Sequence, residues 1–188
     1  MKHLLPLHKS AAYRYIPFRI IVFTITLLVS LFSSIEVKAI NTKTATVTGN
    51  WNDGTIWSPS GVPKDTDNVI INSGVTVTVN GTNTCRNLSI GNSTSSAGGV
   101  KIIANGNTLT VTGDLDFNAG NKNSTYTIDA GPGDMYFNGT FSHWSTSGTT
   151  NFKVGTGSLN FTPAISIANS GQHIIFTDGG TINFNSNF

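Results

Sequence analysis

Residues 75–79 read Val-Thr-Val-Thr-Val, so Val75, Val77 and Val79 share one face of an extended segment and Thr76 and Thr78 share the other. The same two-residue period returns at 109–117. There Leu109, Val111, Leu115 and Phe117 keep one parity across Gly113, while Thr110, Thr112, Asp114 and Asp116 keep the opposite one. A dry face and a wet face predict half-buried strands. Such strands recur in pairs joined by a Gly-bearing corner: 69–71 with 75–79, 88–90 with 100–103, 109–111 with 115–117, 126–128 with 135–137, 152–154 with 159–161, and 174–176 with 182–184. The first strands begin at 69, 88, 109, 126, 152 and 174, a mean step of 21 residues.

A repeat of that length, built from short strands and Gly/Asn corners, predicts one lap of a parallel β-solenoid per pair, six coils in all. Coils stacked at about 4.8 Å would lay Val, Ile, Leu and Phe ladders inside and Thr and Asn ladders outside, in a rod on the order of 25–30 Å long. The same pairs also fit hairpins of an antiparallel β-sandwich, since "GPGD" at 131–134 and "TDGGT" at 177–181 resemble tight reversals. Parity that continues across Gly113, and long soft loops between pairs, favour the solenoid.

A solenoid leaves an unpaired edge and an open apolar end, so it needs a cap that is not itself a coil. Residues 40–68 are placed to cap coils at 69–188: Trp51 and Trp57 offer large plugs, and Pro59 and Pro63 cannot donate to a ladder. At the other end Ile182 and Phe184 still alternate with polar residues. The coils there read either as truncated or as closed by Phe188.

Composition agrees with strands and turns. Residues 40–188 contain 21 Asn, 24 Thr and 20 Gly, with no apolar pattern at helical spacing. Ahead of them, Lys2, Lys9, Arg14 and Arg19 precede an apolar run at 20–32, and "VKA" ends at Ala39, which predicts a signal peptide over 1–39. That run is shorter than the roughly 18 residues a membrane span requires. Without this segment six basic and eight acidic residues remain, a net charge of −2. A mildly acidic chain with no basic cluster excludes a phosphate backbone as partner. Cys85, the one cysteine, has no partner for an internal disulfide and reads as a small buried hydrophobe.

Trp51, Trp57, Pro59, Gly61, Pro63, Asp67, "VII" from Val69, Gly74, "VTV" from Val75, Cys85 and "LSI" from Leu88 together form a pattern. It resembles the opening of large secreted bacterial surface proteins of the type IX secretion group. More distantly, it is similar to the eight-glycine extracellular domain of animal proteins linked to hyaluronan handling. The resemblance is clearest over residues 50–117. It implies a cap leading into a right-handed parallel β-helix, export, surface display, and contact with glycans or neighbouring cells. It carries no catalytic residue, and the sorting module usual in the bacterial group is not seen here.

Candidate chemistry is sparse. Asp114 and Asp116 project from one strand face, as carboxylates of polysaccharide-cleaving sites or calcium sites do, although solvated strand residues explain the pair equally well. Asp65, Asp67 and Asn68 open like a calcium loop but lack its central Gly and distant Glu, so turn formation accounts for them. His143 and His173 have no second ligand at metal spacing. Trp144, with His143, is the candidate ligand contact, because an aromatic in a loop of small polar residues can stack on a sugar; folding under the loop is the other outcome. No catalytic set, metal site or cofactor motif is readable. The sequence points to an exported, extracellular or cell-surface β-solenoid with a structural, adhesive or glycan-contacting role, its partner a glycan or a neighbouring surface protein. The alternative is the non-catalytic front part of a β-helical polysaccharide lyase or hydrolase.

Overall fold

A computed structural model of the chain describes residues 39–91, 99–117, 125–143, 148–162, 165–166 and 172–185. The segment 1–38, Trp144 and Phe188 lie outside them.

The alternating segments wind into a parallel β-solenoid with three strands per coil. An opening rung supplies β1 (Thr42–Ala45) and β2 (Gly49–Asn50); a covering segment follows, with one 3-10 turn at Gly54–Ile56 and β3 (Trp57–Ser58). The first full coil holds β4 (Asn68–Ile71), β5 (Thr76–Thr78) and β6 (Asn83–Cys85), and the second β7 (Asn87–Ile90), β8 (Val100–Ile103) and β9 (Thr108–Val111). The third holds β10 (Leu115–Phe117), β11 (Thr125–Asp129) and β12 (Asp134–Phe137), and the fourth β13 (Phe141–His143), β14 (Gly148–Lys153) and β15 (Ser158–Phe161). The last holds β16 (Ile165–Ser166), β17 (Gln172–Thr177) and β18 (Thr181–Phe184).

Equivalent strands stack into three sheets. Sheet A runs β3-β1-β4-β7-β10-β13-β16, sheet B β2-β5-β8-β11-β14-β17, and sheet C β6-β9-β12-β15-β18. Every neighbouring pair is parallel except β1 with β3. The hairpin alternative is thereby excluded: β9 and β10 flank Gly113 but lie in different sheets, as do β17 and β18 around Gly179.

The six two-strand coils expected from the sequence need correction. In sheet B, Val77, Ile102, Ile128, Phe152 and Phe176 are successive register partners, so a lap takes 25, 26, 24 and 24 residues. The 109–111 and 115–117 pair straddles a coil boundary, and each lap contains a third strand. β6 went unseen because its sequence is Asn-Thr-Cys, with a polar residue, Asn83, in a buried position.

Register explains the core. The inward columns run Val69, Leu88, Leu115, Phe141 in sheet A and Cys85, Val111, Phe137, Phe161, Phe184 in sheet C. With the sheet B column they pass from Val and Cys in the first full coil to phenylalanine in the fourth. Phe137 and Phe161 stack at 5.1 Å, and Phe152 lies edge-on to Phe161 at 5.6 Å. Each fully buried ring contributes about 1.5–3 kcal/mol relative to an exposed one. Phe152 and Phe161 are only 1–2% exposed, whereas Phe176, one coil further, is 50% exposed.

At the opposite end β3 lies antiparallel along β1, pairing Ala45 with Trp57. Trp51 and Trp57 are buried and meet edge to face at 5.3 Å, and the Trp57 Nε1–H donates to the Trp51 carbonyl at 2.9 Å. Lys43 Nζ donates to the carbonyls of Pro59 and Ser60 at 3.0 and 2.9 Å and fastens the loop after β3. Residues 42–50 are already a rung of sheets A and B, so the segment 40–68 both begins the stack and covers its edge.

Candidate functional site

Among the described residues the inward positions are almost all apolar, so polar and ionisable side chains stand mainly at outward positions, and the three sheets differ there. On sheet A the outward column reads Thr44, Ile70, Ser89, Asp116, Ser142. Desolvation holds the Asp116 carboxyl above the usual carboxylate value; a Ser142 hydrogen bond opposes this and the charge of Asp114 adds to it. Asp114 has a corner role: its Oδ1 accepts from the Thr140 N–H at 2.9 Å, and its own N–H donates to Asn87 Oδ1 at 2.8 Å. Asp114 precedes β10 instead of standing in it with Asp116, and the bonds it makes join adjacent coils.

Sheet B is the charged face. Lys101 Nζ lies 3.2 Å from Asp129 Oδ2, and Lys153 is the register partner of Asp129 on the next coil. Thr76, Thr127 and Asn151 complete the column beside them.

Sheet C carries Thr84, Thr110, Tyr136, Asn160 and Asn183 in one outward column and Thr108, Asp134, Ser158 and Thr181 in the next. A chain of hydrogen bonds orders it. Asn183 Nδ2 donates to Asn160 Oδ1 at 2.7 Å, Asn160 Nδ2 to Ser158 Oγ at 2.9 Å, and Ser158 Oγ to Asp134 Oδ1 at 2.6 Å. Tyr136 stands out of this surface, 38% exposed, with a further coil on each side of its strand. Sequence reasoning passed over it, although the alternation in Asp134–Phe137, with Met135 and Phe137 inward, already turns Tyr136 outward.

The other expected residues fall elsewhere. Trp144 lies outside the described residues, and His143 closes β13 as the register partner of Phe117. His173 pairs in register with Thr149 in sheet B. Asp67 is buried and accepts from the Lys64 N–H at 2.9 Å, so residues 64–67 form a turn that leads into β4 at Asn68. Asp53 Oδ1 caps the 3-10 turn by accepting from the Thr55 hydroxyl and N–H, which hold its carboxyl below the usual value. Cys85 is buried and free, its thiol pushed far up by burial and then by the charge of Asp67. Among the described residues no three His, Cys, Asp or Glu side chains gather as a metal site, and no helix is long and apolar enough to cross a membrane. No family model matches the chain, and no curated protein or solved structure matches it significantly.

Proposed function

We propose that the chain is the rigid β-solenoid of an exported protein, displayed outside the cell for adhesion or contact with glycans and performing no reaction itself. The observation that carries this reading is the division of labour between its faces. Inward columns are filled by packing, and outward groups of sheet C from Asn183 to Asp134 are joined by hydrogen bonds, two between coils and one within β15. Export is supported by the basic and apolar segment at 1–39 and by the resemblance to secreted surface proteins. The residues carrying that resemblance do structural work: Trp51, Trp57, Asp67, Val69, Val75, Cys85 and Leu88 are all buried, and Gly74 has a left-handed backbone at φ 80°. The lyase or hydrolase alternative draws on Asp114 and Asp116, whose contacts with Thr140 and Ser142 suit coil stacking better than proton transfer.

The test is to sequence the amino terminus of the protein recovered from its cells and to label intact cells with an antibody against the coils. A chain beginning at Ile40 and reached by the antibody is expected; retention inside with residues 1–39 attached would overturn the reading.

A further inference from the structure

We infer that the outward face of sheet C, centred on Tyr136, is a platform for a linear neutral polysaccharide lying along the stack. This deepens the display reading above and rests on it, since a soluble polymer outside the cell is the ligand such a face would meet.

The argument begins with what a sugar chain presents. A pyranose ring has a weakly apolar face of C–H bonds and a rim of hydroxyls that donate and accept, so its surface complement is one flat aromatic ring among neutral groups of both kinds. Tyr136 supplies the ring at low entropic cost, having two side-chain torsions to fix. Strands in sheet C lie about 4.8 Å apart, so the Thr110 hydroxyl and the Asn160 amide are one rung away on either side of Tyr136. Asp134 and Ser158 fill the neighbouring column, already ordered by their mutual hydrogen bond. Asn160, Ser158 and Asp134 are held by these bonds before a ligand arrives, which limits the entropy lost on binding.

Comparison of the three faces selects both the sheet and the ligand. Sheet B displays Lys101, Asp129 and Lys153, and among the described outward side chains of sheet A Asp116 is charged and none is aromatic. On sheet C the outward strand positions hold one ionisable carboxyl, Asp134, and no cation. A polyanionic glycan would meet Asp134 without compensation, whereas a neutral one would find an acceptor there. The direction follows from the repeat: along the stack a polymer meets Thr84, Thr110, Tyr136, Asn160 and Asn183 in turn, while across the strands it would leave the sheet at the corners.

Affinity electrophoresis tests this, with the exported protein run through gels containing xyloglucan, mixed-linkage β-glucan or galactomannan, and through gels containing polygalacturonate or hyaluronan. Retardation by at least one neutral polymer and by neither polyanion is expected. Tyr136→Ala should weaken retardation about tenfold, the loss of one ring stacking contact, with Tyr136→Phe keeping most of it and Lys101→Ala on sheet B all of it. Unchanged circular dichroism in each variant shows that the fold is intact, as an outward position allows. Failure of every neutral polymer, preference for a polyanion, or equal binding by Tyr136→Ala would each overturn the inference. Display at the surface without glycan retardation would remove this inference alone, and retention inside the cell would remove the display reading.

Discussion

Replacing Gly133 with alanine separates stacking from backbone conformation. Gly133 sits at the corner between β11 and β12, directly over Asn107 of the coil before, and its φ is not in the left-handed region. An added Cβ would overlap the Asn107 carbonyl oxygen and stand 2.8 Å from the Asn107 nitrogen and 3.0 Å from Ala104 Cβ. That carbonyl also accepts the Asp134 N–H at 3.1 Å, so the corner can yield only by lifting away from its neighbour. Overpacking costs about 1–3 kcal/mol and a weakened hydrogen bond about 0.5–1.5, giving a loss of about 1.5–4.5 kcal/mol. Gly74 and Gly179 serve as controls. Gly74 has φ 80° and nothing within 4 Å, so Gly74→Ala meets only left-handed strain of about 1–2 kcal/mol. Gly179 has neither a left-handed φ nor a neighbour within 4 Å, so Gly179→Ala should stay within about 0.5 kcal/mol of the parent. In urea unfolding followed by circular dichroism, a slope of roughly 2 kcal/mol per molar turns the Gly133→Ala loss into a midpoint about 1–2 M lower. A Gly133→Ala midpoint equal to that of Gly179→Ala would refute the coil stacking at this corner.

Asp116 gives a pH signature. A carboxyl whose folded value is raised favours folding most in acid, and that contribution disappears as pH rises through the folded value. Asp116→Asn should therefore match the parent below the ordinary carboxylate range and exceed it in urea midpoint at neutral pH, and an advantage confined to acid would contradict the burial argument. The Cys85 thiol, buried and raised, should resist a disulfide reagent in the native protein and react in step with loss of the circular dichroism signal in urea. Labelling of the folded protein at the rate of an open thiol would show that the coil around Cys85 is not closed.

Much of this architecture is legible in the sequence because strand alternation is enforced by burial. The inward residues read from 75–79 and 109–117, namely Val75, Val77, Val79, Leu109, Val111, Leu115 and Phe117, are all buried. The length of a lap is hidden where a strand lacks that signature. Asn83 occupies an inward place in β6 with its Nδ2 donating to the Gly81 carbonyl at 3.1 Å, a local bond that no hydrophobic pattern reveals. Lap length also varies, 19 residues from Val69 to Leu88 and 27 from Leu88 to Leu115, so a mean start-to-start step hides the third strand. Trp144 and His143 stand out in the sequence by the composition around them, whereas Tyr136 lies in plain alternation on the wet face and carries no motif of its own.

Inside and outside are separable in this fold, and that sets what each kind of substitution can do. An inward residue answers to volume and apolarity, which lets the columns drift from Cys85 and Val111 to Phe137 and Phe161 without altering strand register. An outward residue answers to its neighbours one rung away, and Tyr136 can be exchanged without opening a cavity. Tyr136→Ala should therefore change binding without moving the urea midpoint, and Gly133→Ala should move the midpoint while the folded fraction still binds. A variant of either kind that shifted both together would mean that the sheet C surface is shaped by the packing beneath it, and the two faces would then have to be treated as one structure.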